Sequence, residues 1–198
     1  VPTFISTLAF FLVLRGAAGQ ITHGFSIMSF PPGFAALGSG HIWMIPVPAI
    51  IFLAVFLVMQ LVMGYTTFGR AIYAVGGNAE AARLSGIPVG WVKVGVMVIV
   101  AVLAALAGLM QASQISSGNP KAAVDGWELD VIASVIIGGT SLMGGSGRIW
   151  GTFIGILFLG VLLNGMTLMD VGDYWQMIVR GGLILLAVLL NAALSKRR

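Results

Sequence analysis

The residues with chemical capacity are few, and one short run concentrates them: Gly76-Gly77-Asn78-Ala79-Glu80-Ala81-Ala82-Arg83-Leu84-Ser85-Gly86-Ile87-Pro88. The spacing predicts a small helix punctuated at both ends. Asn78 is a strong N-cap, and Glu80 sits in the first turn, where the helix dipole favours an anion. Arg83 falls in the last turn, Gly86 suits the left-handed position past the helix, and Pro88 stops continuation. A helix of about seven residues is marginal by itself. Gly77, Asn78, Glu80, Ala81, Ala82, Arg83, Leu84, Ser85 and Gly86 are therefore read as a docking element that needs a partner surface, with Leu84 and Ile87 as its apolar knob. Such an element makes mechanical contact and breaks no bonds. An ordinary connecting loop with a stray turn would not need both caps.

A second run, Gly139-Thr140-Ser141-Leu142-Met143-Gly144-Gly145-Ser146, is one residue from the phosphate-cradling pattern G-x4-G-K-[ST], with Gly145 where the lysine would stand. Without that charge, and without a strand–loop–helix context, the run reads as a kink and tight turn. The chain is thus not expected to be an enzyme or to hydrolyse nucleotides itself. Zero cysteines exclude disulfide scaffolds, thiolate metal sites and thiol catalysis. His23 and His41 have no carboxylates near them in sequence, so neither metal nor cofactor is expected. Gln111, Asn164, Thr167 and Gln176, with Ser113 and Gln114, lie in or near apolar stretches and can hydrogen-bond hydroxyl groups in a path through the molecule. They can equally bond one helix to another.

The elements that must position these groups are built for lipid. Of 198 residues, 59% are hydrophobic and 8% charged, with a mean hydropathy of +1.05, where an ordinary soluble domain has roughly 25% charged residues. Ten basic and six acidic side chains cannot cover a water-soluble globule of 20.7 kDa. A soluble enzyme and a disordered tail are both excluded. The net charge of +4 does not signal nucleic acid, because the bases are spread along the chain and three are its last three residues.

Six stretches, 3–22, 45–63, 92–112, 128–143, 149–168 and 174–193, predict an all-α polytopic transmembrane bundle. The fourth has 16 residues, rising about 24 Å as a helix, less than a hydrocarbon core of about 30 Å. With Gly138-Gly139 inside it, a short or broken helix is expected. If the spans alternate, Arg70, Arg83, Lys93, Arg148, Lys196, Arg197 and Arg198 share one side. The other side holds Lys121 with Asp125, Glu128, Asp130, Asp170 and Asp173. The positive-inside rule then places residues 64–91, the 144–148 turn and both ends of the segment in the cytoplasm.

Arg15 and Arg180 fall within spans. Arg180 can snorkel or pair with Asp173, and Arg15 can pair with an acid or with backbone carbonyls. Ala101-x3-Ala105, Ala104-x3-Gly108 and Gly151-x3-Gly155, with Gly160 and Gly165 further on, set small residues on helix faces for close packing. Trp43, Trp91, Trp127, Trp150 and Trp175 sit near span ends, as interfacial anchors do. Val1-Pro2 opens without methionine or a basic leader, so a processed or truncated chain is expected.

The run from Gly69-Arg70-Ala71-Ile72-Tyr73 through Gly86-Ile87 resembles the coupling loop of ribose-type monosaccharide ABC transporter permeases, in the branched-chain amino acid/ribose permease superfamily. The resemblance continues through Glu128-Leu129-Asp130-Val131-Ile132-Ala133, Gly138 to Arg148, Tyr174-Trp175-Gln176-Met177-Ile178-Val179-Arg180 and the basic tail, and it includes Val1 to Gly16. It implies an ABC importer permease fold: one transmembrane permease domain over 1–198, lacking the N-terminal spans of the full subunit, with 64–91 as its cytoplasmic coupling loop. It also implies separate ABC ATPase subunits that carry ATP and Mg, a second permease subunit, and a periplasmic or lipid-anchored sugar-binding protein. A ribose- or xylose-like sugar would cross the bacterial cytoplasmic (inner) membrane, with no nucleic acid involved. An ion-coupled secondary transporter of a small polar solute shares the broken helices but would call for an acid or histidine relay within the spans. A purely structural membrane protein would leave the capped helix unexplained.

Overall fold

A backbone in lipid must satisfy its own polar groups, and apolar runs of this length do so as helices. The computed structural model describes residues 3–28, 30–120, 127–141 and 144–195. Val1, Pro2, Lys121, Asp125, Leu142, Met143, Lys196, Arg197 and Arg198, some of which carry expectations above, lie outside the described residues. In chain order the elements are α1 (Thr3–Ile21), β1 (Ile27–Met28), α2 (Pro32–Ser39), β2 (His41–Ile42), β3 (Ile45–Pro46), α3 (Val47–Tyr65), α4 (Thr67–Gly77), α5 (Ala79–Leu84), α6 (Val89–Gln114), β4 (Ser117–Gly118), α7 (Trp127–Ile137), α8 (Ile149–Leu168) and α9 (Asp173–Ser195). Each of the six expected stretches carries a helix, and the fold is an all-α one. By length and composition, α3, α6 and α8 can each cross a membrane, and apolar helix also runs over Ala9–Ile21 and Tyr174–Ala187. The fourth stretch forms only the eleven residues of α7, as its glycine pair predicted.

Four helix ends close in the same way. Past α5, the Gly86 N–H donates to Arg83 O and the Ile87 N–H to Ala82 O, both at 3.0 Å, with Gly86 at φ +82°. The equivalent pairs are Gly139 to Ile136 and Thr140 to Val135 after α7, His23 to Gln20 and Gly24 to Gly19 after α1, and Asp170 to Thr167 and Val171 to Met166 after α8. This is the Schellman arrangement, which places one residue in the left-handed region. Glycine fills that position after α5 and α7; His23 (φ +49°) and Asp170 (φ +57°) fill it after α1 and α8.

The chain divides into two compact units, 1–52 with 101–125 and 53–100 with 126–198, so α3 and α6 each contribute to both. In the first unit, β1 pairs antiparallel with β4 (Ile27 opposite Gly118), and β2 with β3 (His41 opposite Pro46). Pro32 opens α2 after Pro31, as a proline at a helix start does. Ser113, fully buried on α6, accepts from the Gly38 N–H at 2.7 Å and donates to Phe34 O at 2.5 Å. Gly38 is needed there because a Cβ would fall on the backbone of Gln114 and Ser113. At the β2–β3 turn, Trp43 is 98% exposed.

In the second unit α7 lies against α8 with almost no side-chain cushion. A Cβ on Gly151 would overlap Gly138 O, and one on Gly155 would overlap Ser134 O, so the expected Gly151-x3-Gly155 face meets α7. Phe56 of α3 packs on Trp150 and Phe153 of α8 with ring centroids 4.9 and 4.6 Å apart. Buried apolar side chains here are Phe56, Ala82, Val92, Ala133, Ile136, Leu159 and Ala187. The best apolar windows of α3 and α6 are only 6% buried and that of α8 only 11%, which leaves their flanks for lipid or other chains. Ala101, Ala104, Ala105 and Gly108 are exposed on α6, and nothing described lies within 4 Å of a Cβ built at Gly108, Gly160 or Gly165.

Candidate functional site

The site is assembled from the end of α3 onward. The Thr66 hydroxyl accepts the Gly69 N–H at 3.1 Å and caps α4 at its start. Gly69 is buried against the carbonyls of Val62 and Met63, where a Cβ has no room, so the chain can fold sharply from α3 into α4. Asn78 then serves two helices. Its N–H closes α4 on Ala74 O at 3.1 Å, and its Oδ1 accepts the N–H groups of Glu80 and Ala81, each at 3.0 Å. α4 and α5 are thereby joined at a single residue.

Glu80 and Arg83 form an exposed 2.9 Å ion pair along α5. Such surface pairs contribute about 0–1 kcal/mol, so the pair trims the helix and supplies little stability. Leu84 is 81% exposed, the expected apolar knob. Ile87 differs from expectation: it is half-buried, since its N–H turns back to close the cap on Ala82. Ala82 is 4% exposed and faces the chain's own packing. Gly77, Ala81, Ser85 and Gly86 are exposed, and the Ser85 hydroxyl donates to Ala81 O at 2.9 Å.

The glycine run after α7, read from sequence as a kink and turn, packs on the end of α4. A Cβ on Gly76 would come within 2.8 Å of Gly145 N, one on Gly144 within 2.7 Å of Gly76 O, and one on Gly145 within 2.6 Å of Gly77 Cα. Gly144 and Gly145 have φ of +89° and +75°, a conformation open to glycine and strained for other residues. The Tyr73 hydroxyl donates to Gly147 O at 3.0 Å. Beside the crossing lies a cleft of about 280 Å³, lined among others by Ile72, Tyr73, Val135, Thr140, Ile149 and Thr152.

Of the four residues assigned to a path through the molecule, Gln111 belongs to the first unit and Asn164, Thr167 and Gln176 to the second. Gln176, buried on α9, donates to Thr167 Oγ1 at 3.4 Å and to Val171 O at 3.0 Å, so these two are brought together as a clasp on the α8–α9 turn. Thr167 also donates to Leu163 O. Asn164 is exposed one turn earlier on α8. Gln111 is half-buried on the part of α6 that belongs to the first unit. Ser113 is the buried helix–helix bond already described, and Gln114 is exposed.

Arg180 pairs with an acid that the sequence reading did not name for it. Its Nη1 lies 3.2 Å from Asp130 Oδ2 on α7, and its Nε is buried with no hydrogen-bond partner among the described residues; the Asp173 side chain lies outside the described ones. Position explains the choice: Asp130 shares a helical face with the buried Ala133 and Ser134, one turn on, and that face is the packed side of α7. The same spacing could have flagged Asp130 in the sequence. Arg15 places its guanidinium 5.8 Å from the Phe11 ring centroid, a cation–π contact that the sequence reading did not name. All five tryptophans are exposed, though Trp150 also packs on Phe56.

A family model described as the permease component of the branched-chain amino acid transport system matches residues 1–188. The chain belongs to that family. The ribose import permease protein RbsC of Haemophilus influenzae is 45% identical over 202 residues, covering 100% of this chain and 62% of that protein. RbsC of Bacillus subtilis is also 45% identical, over 95% of this chain and 59% of its own length. The L-arabinose transport system permease protein AraH of Escherichia coli is 37% identical over the whole chain and 60% of its own length. This permease-family chain thus spans about six-tenths of the length of the curated relatives it matches. No solved structure matches it. The resemblance to ribose-type ABC permeases seen in residues 69–87 is matched by these relatives.

Proposed function

We propose that this chain is the C-terminal part of the membrane subunit of an ATP-driven, binding-protein-dependent monosaccharide importer, and that α5 is where it meets the ATPase. In this reading a ribose- or xylose-like sugar arrives from a periplasmic or lipid-anchored binding protein. It crosses the bacterial inner membrane between two permease subunits by alternating access. ATP and Mg are held by separate ATPase subunits, and this chain does no chemistry. Residues 64–91 and both ends of the segment face the cytoplasm, in keeping with the bias of basic residues.

The observation that carries the reading is α5 itself. Six residues would not hold a helix in water, yet this one is capped at both ends, pinned to α4 through Asn78, and left with Leu84 outward. A pre-formed, rigidly mounted apolar knob is what a subunit needs if it must receive motion from a neighbour. Leu84→Asp in the full-length permease tests this. Insertion and folding should be unchanged, because the side chain is 81% exposed, while ATPase copurification and ATP-driven uptake are lost. Wild-type copurification with Leu84→Asp would overturn the docking role. Uptake that persists without ATP and collapses with an ion gradient would overturn the importer reading in favour of a secondary carrier.

A further inference from the structure

We propose that the crossing of Gly76 with Gly144 and Gly145 is the joint through which α4 and α5 move α7 and α8, making these glycines positioning residues distinct from the docking helix. The inference rests on the coupling reading above and deepens it. Each of the three glycines excludes a side chain because of the other strand's backbone: the hypothetical Cβ distances of 2.6–2.8 Å fall below those that real Cβ atoms adopt. The two segments therefore touch main chain to main chain, with no rotatable side chain between them to absorb a displacement. Packed contacts of this kind switch between discrete arrangements and do not deform smoothly.

The connections on either side suit a transmitting role. On one side, α4 ends at Gly77 and α5 begins at Ala79, with Asn78 capping both. On the other, α7 closes at the left-handed Gly139, and residues 144–148 lead into α8 at Ile149. α7 and α8 are in turn locked by Gly138, Gly151 and Gly155. The Tyr73–Gly147 bond is a second fastening one turn along α4. The neighbouring cleft is lined by Ile72 and Tyr73 of α4 on one side and by Val135, Ile149 and Thr152 of α7 and α8 on the other. The glycines that would once have suggested a phosphate loop have a mechanical reason to be there.

The test uses the full-length permease in proteoliposomes with its ATPase subunits and binding protein, reading radiolabelled ribose and pentose uptake beside ATPase copurification. Gly76→Ala is informative because alanine normally strengthens a helix relative to glycine, so an ordinary helical position would gain or stay level. The expected result is wild-type copurification with uptake reduced about three- to thirtyfold, the range for residues that carry coupling. Tyr73→Phe, which keeps the ring and the fold, should reduce uptake about two- to fivefold by removing one hydrogen bond. Wild-type uptake in Gly76→Ala would overturn the joint. Loss of copurification in step with uptake in Tyr73→Phe would also overturn it, since the segment would then be shaping the docking surface. A wild-type complex that neither retains the ATPase nor imports would overturn the coupling reading itself.

Discussion

The Asp130–Arg180 pair joins α7 to α9, and its removal should be measurable. The charged atoms are 3.2 Å apart, and the side chains are 23% and 28% exposed. Breaking a fully buried pair by deleting one partner is destabilising by about 3–5 kcal/mol, whereas an exposed pair contributes about 0–1 kcal/mol. At about a quarter exposed, and with the Arg180 Nε unpaired among the described residues, Asp130→Asn should lose about 2 kcal/mol. One kcal/mol moves the Tm of a domain of 150–250 residues by about 2–4 °C and that of a longer protein by less, so the full-length permease in detergent should melt about 2–4 °C lower. The reciprocal swap, Asp130→Arg with Arg180→Asp, keeps the attraction and should recover at least half of that. A double-mutant cycle separates the pair from the packing around it. If Asp130→Asn and Arg180→Gln each melt within about 1 °C of wild type and combine additively, the pair does not hold α7 to α9 and the reasoning fails.

Three further outcomes follow from helix ends and contacts. Asn78→Ala removes the acceptor for two N–H groups and should weaken α5 by about 1 kcal/mol, seen as faster amide exchange over 79–84 with little change in α8. Gly155→Val drives a side chain into the Ser134 carbonyl; it should destabilise the α7–α8 packing by about 2 kcal/mol or more, read as a lower Tm, while Gly160→Ala, with nothing within 4 Å, should not. Asp170→Gly relieves a left-handed aspartate at the C-terminal end of α8 and should stabilise by about 0.5–1 kcal/mol, so a lower Tm in that variant would contradict the cap assignment.

What could be read in advance follows from how local each feature is. The bounds and both caps of α5 were legible because every group involved lies within ten residues, from Asn78 to Ile87. The early stop of α7 was legible for the same reason, from Gly138-Gly139. The burial of Ala82 and the half-burial of Ile87 were not, because burial depends on what the chain folds back against. The Asp130–Arg180 pair and the crossing of Gly76 with Gly145 join residues 50 and 69 positions apart, and nothing in a single sequence names such partners. The α2 helix, the β2–β3 hairpin and the pairing of β1 with β4 also went unseen. There the Pro31-Pro32 start signal was available, but the flanking strands are only two residues long and have no periodicity to detect.

The brevity of α7 bears on how the chain enters the bilayer in the first place. Eleven residues rise about 16 Å, half the thickness of a hydrocarbon core of about 30 Å, too little to leave a translocation channel as an independent segment. α8 has 20 residues and begins where the glycine turn ends, with its first two turns fitted to the α7 backbone. Pairwise entry is the expected outcome, with α7 partitioning into lipid as the short arm of a hairpin drawn in by α8. Fused to a glycosylation reporter, residues 127–141 alone should fail to insert and residues 127–168 should insert as a unit. Efficient insertion of the short piece by itself would show that α7 partitions independently.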